Sequence, residues 1–304
     1  MNKRLANPGS FAPPSPQQME AHLLRTSPRE PSRLWMWLPL AVLTGSAALV
    51  VVAEQGSLQV LAWALLATVF VSLGVRARRL MDLQQEVGRV QELAMLRRFP
   101  QALRRGWRVL GKVRSPPELH ARIVALLSHC LDEVRAYESA IVGYDFLIDR
   151  LPRDHPGSVQ LTLQRALAQL ATGQLTDADD ALRRLRPMVG QRAGSPIGAA
   201  YQLVELVQRV RTNHFADAVA QADGLVDALR ALGVEAGYGH GLMALCYYRL
   251  EPQGSGSDAS PTALWWSRAT ALLEPGALVH HFPELAVVAS HFHRSADWRR
   301  SESS

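Results

Sequence analysis

An alanine returns along this chain at positions 102, 140, 178 and 218, at intervals of 38, 38 and 40 residues. The text around it aligns as FPQALRRGWRV (99–109), YESAIVGYDFL (137–147), LTDADDALRRL (175–185) and FADAVAQADGL (215–225). A bulky residue stands three before each alanine (Phe99, Tyr137, Leu175, Phe215) and an aliphatic one seven after (Val109, Leu147, Leu185, Leu225). Offsets −3, 0, +4 and +7 share one face of an α-helix. A second apolar set precedes it: Leu163, Ala166, Leu167 and Leu170 before Ala178, and Leu203, Leu206, Val207 and Val210 at the same offsets before Ala218. Before Ala140 the set slips by one, to Val124, Leu127 and Leu131. Each unit therefore reads helix, short turn, helix. Such a unit buries its apolar face only against a neighbour, which predicts an all-α solenoid over residues 76–275 with about five helix-turn-helix units. The fifth is a poorer copy, with Ala263 and Pro275 spaced as Ala140 and Pro152 are, interrupted by PQGSGSDASP (252–261).

Composition agrees. Hydrophobic residues make up 48% and aromatics only 7%, and the abundant Leu, Ala and Arg lose little side-chain freedom in a helix. The two cysteines, Cys130 and Cys246, lie in helical text with no C-x-x-C, which argues against a disulfide framework or a cysteine zinc site.

The units resemble the tetratricopeptide repeat family, whose second helix carries a small residue, a bulky one four later and often a terminal proline. RAYESAIVGYDFLIDRLP (135–152) is the closest match, followed by HFADAVAQADGL (214–225). The resemblance covers about residues 82–275, with units longer than the family's usual length and without its first-helix Trp and Gly-Tyr pattern. It implies a scaffold for protein–protein interaction with no reaction of its own.

Ahead of the repeats stand two uncharged runs, LWMWLPLAVLTGSAALVVVA (34–53) and SLQVLAWALLATVFVSLGV (57–75), separated by Glu54-Gln55-Gly56. Each matches the ~20 residues that a helix needs to cross a ~30 Å hydrocarbon core. They predict a transmembrane hairpin over 34–75. Lys3, Arg4, Arg25, Arg29 and Arg33 precede the first run, and Arg76, Arg78 and Arg79 follow the second. Cations stay on the cytoplasmic side, so both termini are expected in the cytoplasm of a bacterial-type inner membrane, with Trp35 and Trp37 at headgroup level. Residues 1–33, rich in Pro, Ser and Gln, show no periodicity and are expected to be disordered. Residues 276–304 are expected to form a capping helix, Phe282 to Phe292, and a disordered tail.

Three features invite chemistry. Asp177, Asp179 and Asp180 form D-x-D-D, the acid motif of class II terpene cyclases, but the Q-W repeats of those enzymes are absent. The alignment sets them instead at the entry of a second helix, where carboxylates complement the helix dipole. Thr176 is the expected N-cap and Asp179 its capping-box partner. His280, His281, His291 and His293 lack the i, i+3 or i+4 spacing that metal sites on helices favour. GYGHG (237–241) precedes no Lys-Ser/Thr and reads as the loose start of a helix, not a phosphate loop. No catalytic, cofactor-binding or metal-ligating residue is assigned, and no cofactor is expected.

Residues 75–114 hold eleven Lys or Arg against Asp82, Glu86 and Glu92. Beside a membrane, such cations meet anionic headgroups at ~1 kcal/mol each. Leu80, Leu83, Val87, Val90 and Ala94 follow a 3-4 spacing that offers a homodimer seam over 80–94. The expected partners are thus an unidentified protein in the repeat groove and membrane lipids. Two other functions stand beside the scaffold. One is a groove enzyme acting on a lipid- or isoprenoid-type substrate, which needs ionisable residues such as Arg165, Glu205, Arg209 and Arg211 to converge. The other is a nucleic-acid tether through 97–114, using Trp107.

Overall fold

The computed structural model describes residues 12–28, 44, 56–113, 116–151, 155–189, 194–251 and 260–293, and among them every regular element is helical. The chain divides into two compact units, residues 1–147 and 148–304. The first holds α1 (Pro16–Thr26), α2 (Gly56–Met95), α3 (Phe99–Leu110), α4 (Pro117–Glu133) and α5 (Tyr137–Ile148). The second holds α6 (Pro156–Thr172), α7 (Leu175–Val189), α8 (Pro196–Arg211), α9 (Phe215–Val219) and α10 (Ala222–Leu229). A 3-10 segment, Arg230–Glu235, then leads to α11 (Ala236–Leu250), α12 (Pro261–Leu272) and α13 (Pro275–His281), and residues 286–293 close the unit as α14.

The repeat register is visible in burial. Ala102, Ala140, Ala178 and Ala218 are at most 1% exposed, and Val109, Leu147, Leu185 and Leu225 are all buried with them. The turn before each alanine recurs too. Arg97, Arg135, Gly173 and Asn213, each five residues ahead of its alanine, have φ of 55°, 62°, 81° and 59°. The next residue's N–H reaches back five residues in every copy: Arg98 to Leu93 (2.9 Å), Ala136 to Leu131 (2.8 Å), Gln174 to Gln169 (2.9 Å) and His214 to Arg209 (2.8 Å). This is the left-handed cap that satisfies a helix's last carbonyls and reverses the chain. Only the third copy fills it with glycine, the residue that takes a positive φ without a Cβ penalty.

In the first unit α2 packs on α3 and α4. A Cβ on Gly106 would lie 2.8 Å from Leu127 and 3.4 Å from Val90, so this glycine lets the three helices close together. Val87, Val90 and Ala94 are buried in that contact, which corrects the expected dimer seam: its second half is closed inside the chain. Leu80 stays exposed and Leu83 half-buried. In the second unit α11 is the central helix, packed against α8, α9 and α12. Its glycines serve close approach. A Cβ on Gly239 would overlap Leu229, and one on Gly237 or Gly241 would come within 3.0 Å of Leu273 or Leu285.

Three expectations need correction. The second helix of the fourth copy is not continuous: α9 and α10 are separated by a turn at Ala220–Gln221, which Arg209 holds through a 2.5 Å bond from Nη1 to Gln221 Oε1. In the fifth copy the sealed alanine is Ala269, with Trp265 and Trp266 buried beside it, while Ala263 is half-exposed. Most visibly, residues 12–28 are not disordered but carry α1, while 1–11 and 29–33 lie outside the described residues.

The run 34–53 lies outside the described residues except Thr44. The run 57–75 is helical and continues without a break into the first repeat as α2, although the side chains of 57–59, 61, 62 and 65 are not among those described. Among the described residues no helix is long and apolar enough to cross a membrane. Val60, Trp63, Phe70 and Val71 nonetheless stand more than half exposed on α2. Residues 294–304, the expected tail, are outside the described residues.

The recurring turn makes a paired prediction. Arg135→Gly should stabilise the chain by ~1 kcal/mol by relieving its left-handed backbone, and Gly173→Ala should destabilise it by a similar amount. Chemical unfolding of both variants measures this, and shifts of the same sign would refute it.

Candidate functional site

The chain's own N-terminal helix is seated on the first unit. Its start is fixed locally: Gln18 N–H donates to Ser15 Oγ (3.3 Å) while Ser15 N–H donates to Gln18 Oε1 (3.1 Å), a capping box with Pro16 at the first helical position. Pro28 follows its C-terminus and cannot continue a helix. Met19, Leu23 and Thr26, at i, i+4 and i+7, are the buried face, whereas Leu24 points to solvent. Burial of Met19 and Leu23 contributes ~1.5–3 kcal/mol each.

Three helices build the seat. From α5, Ser139 Oγ donates to the Pro14 carbonyl (2.7 Å), and Gly143 leaves room for Met19: a Cβ there would lie 3.2 Å from Met19 Cε and overlap Ser128 Oγ. From α4, His120 Nε2 lies 3.2 Å from Thr26 Oγ1. From α3, the Trp107 indole stacks on His22 at 4.3 Å with 17° between the rings. The small pair Ser139 and Gly143 is particular to the second copy. At the same offsets the others place Gln101 and Arg105, Asp177 and Ala181, and Asp217 and Gln221. The His22 imidazole is held below its ordinary value, first by burial and then by Arg25, and its Nε2 is buried without a hydrogen-bond partner.

Two of the three aspartates, Asp179 and Asp180, make polar contacts with their neighbours. α7 begins at Leu175, so Thr176 lies inside the helix and not at its cap, a correction of two residues. Asp179 accepts from Gln208 Nε2 (2.7 Å), and Arg183 pairs with Asp179 (2.8 Å) and Asp180 (2.6 Å). The informative residue is the sealed Ala178 between them.

His281 packs against Tyr238 (4.6 Å) and His291 against Tyr248 (5.5 Å), while Phe292 stacks on Trp266 (6.2 Å). These histidines are part of an aromatic closure of the second unit. Among the described residues no three His, Cys, Asp or Glu converge as a metal-binding group. In the basic segment, Arg105 grips Glu86 with two bonds of 2.9 and 3.0 Å, which holds that carboxyl below its usual range, and His22 covers one face of Trp107.

Ionisable residues do converge in part within the second unit. Glu205 of α8, nine-tenths buried, meets Arg186 of α7 (2.9 Å) and Arg209 (3.2 Å) beside a cleft of about 390 Å³. Arg211 is elsewhere, paired with Glu284 (3.1 Å). Two guanidiniums on one carboxylate make an electrostatic tie between α7 and α8. The Tyr201 phenol lining the cleft is pushed up by burial and by Glu205, so it offers no base near neutrality. The Cys130 and Cys246 thiols are pushed up to about 12 by burial and are poor nucleophiles. In the first unit Asp132 is raised to about 7 by burial and by Glu133.

The seat was missed in the sequence, although its signals are present. S-P-Q-Q is a capping box, and M-x-x-x-L-x-x-T follows it at helical spacing. Comparisons with family models, curated proteins and solved structures find no match for this chain.

Two outcomes follow from the site. Replacing Asp177 and Asp180 with Asn should change stability by less than ~1 kcal/mol, since the affected pair is exposed and intrahelical; a larger loss in thermal unfolding would give the acids a greater role. Docking of α1 should weaken as pH falls through about 6.5, the ordinary histidine value. A depressed value in the docked state means that undocked His22 binds more protons in that window, so docking gains with rising pH. Hydrogen exchange of residues 16–26, normalised for intrinsic rates, reads this directly, and His22→Phe should reduce the dependence, leaving His120 against Thr26 as the other imidazole in the seat. Protection that does not change between pH 7.5 and 5.5 would overturn it.

Proposed function

We propose that this chain is a membrane-tethered, tetratricopeptide-like scaffold that captures a helical segment of a partner protein at the cytoplasmic face of the membrane. The observation that carries the reading is α1 in its seat. It is a worked instance of an amphipathic helix held by stacked helical hairpins through anchors at i, i+4 and i+7. The in-register alanines and left-handed turns support the repeat resemblance.

The same contact bears on topology. α1 precedes both uncharged runs, and α3 to α5 follow them, yet α1 packs on all three. Both segments therefore lie on one side of any membrane, which allows an even number of crossings between them. A hairpin over 34–53 and 57–75 satisfies that parity, and a single crossing does not. The cations of residues 75–114 would then face anionic headgroups. A tether of this kind acts by concentration, holding a captured partner close to its membrane-bound target.

Reporter fusions test the topology: one after Ser304 should give a cytoplasmic signal and one within Glu54–Gly56 an external signal. A cytoplasmic signal from both would remove the hairpin. Crosslinking in native membranes should join the intact chain to a second protein in defined stoichiometry, and recovery of the chain alone would remove the scaffold.

A further inference from the structure

We infer that the α1 seat is the partner-binding site and that α1 occupies it as the chain's own competitor, so a partner helix enters only by displacing α1. This rests on the scaffold reading above and names the ligand of that scaffold. The seat prescribes the ligand. Met19 lies against Gly143, His22 stacks on Trp107, Leu23 is sealed and Thr26 meets His120. A partner therefore presents an aliphatic or thioether side chain at i, a flat ring at i+3, an aliphatic one at i+4 and a hydroxyl at i+7. Other residues of that helix face solvent, as Glu20, Leu24 and Arg25 do here.

Two features of α1 suit a displaceable occupant. It has only 11 residues, below the ~12–15 at which an isolated helix becomes even marginal in water, so it leaves as coil and docks as helix. Its ring anchor is also only partly satisfied: the His22 imidazole meets the Trp107 backbone, while its Nε2 is buried without a hydrogen bond. A ligand with Phe at that position keeps the stack on Trp107 and brings no polar ring atom into the seat. As a tethered segment α1 competes at an effective concentration of order millimolar, which sets the affinity a partner must exceed.

The test uses the full-length chain in detergent and three labelled peptides: residues 12–28, the same with His22→Phe, and the same with Met19→Asp. In the double variant Met19→Asp/Leu23→Asp the chain's own helix is expelled and the seat is open. Anisotropy should show that this variant binds the 12–28 peptide at least tenfold tighter than the wild-type chain does. The His22→Phe peptide should bind tighter again, and the Met19→Asp peptide should not bind. Refusal of all peptides by a double variant whose melting and helix content match wild type would overturn the inference. Wild type supplies an independent measure if the variant misfolds: in native-state hydrogen exchange α1 should open at lower free energy than α4 and α5. Opening of all three together would make α1 permanent core and end the proposal. A wild-type dimer that the double variant converts to monomer would put a second copy's α1 in the seat, against the assignment in cis. If membranes yield a crosslinked partner while the peptides are refused, the inference fails and the scaffold stands. If peptides bind and no partner is found, both fail.

Discussion

A backbone bond repeated four times sets this fold. Five residues before each repeat alanine the chain takes a left-handed φ, and the following N–H closes back onto the carbonyl five residues earlier. That bond ends the first helix of a pair and fixes the start of the second one residue later. The alanine then falls in the first turn of the second helix, turned toward its partner. Because Ala102, Ala140, Ala178 and Ala218 have so little side chain, the paired helices can approach closely, and the residues at +7 complete the seam. Glycine repeats the principle where contacts are tighter still, as at Gly106, Gly143 and Gly239.

The part of this legible in the sequence was the part written in burial. Alanines and aliphatics recur because a packed seam tolerates few alternatives, so their spacing gave the register of all four copies. The turns were not legible, since Arg97, Arg135, Gly173 and Asn213 share a backbone conformation and no side-chain chemistry. The 3-4 spacing of Val87, Val90 and Ala94 reported correctly that those residues are covered. It could not say by what, and the cover proved to be α3 and α4 and not a second copy. In the fifth copy the buried positions are Trp265, Trp266 and Ala269, which the alignment on Ala263 did not indicate.

α1 escaped for a different physical reason. Its text is rich in Pro and Gln and carries only three buried residues over three turns, too few to stand out as a periodic signal. The helix is specified from outside, by a capping box at one end and a prepared surface beneath. Hence the clearest trace of it lies elsewhere, in Ser139 and Gly143, which depart from the pattern of the other copies. A departure from a repeat is where a repeat protein has been fitted to something, and here the fitted object is visible.

The seat and the proposed tether constrain each other through length. α2 is one continuous helix of 40 residues, so its stretch from 76 to 95 rises ~30 Å beyond the second uncharged run. On the other arm, residues 27–33 separate α1 from the first uncharged run and extend ~25 Å at most. With α1 docked, both arms end on the first unit, α2 against α3 and α4 through Val87 and Val90, and α1 against α3 to α5 through Met19 and Leu23. In the proposed topology the first unit is then held to the membrane at two points and its orientation is restricted. Displacing α1 removes one of them and leaves α2 as the sole connection. In that topology, and with the proposed exchange, occupancy of the seat would set both what the scaffold holds and how freely it holds it, with no second site required.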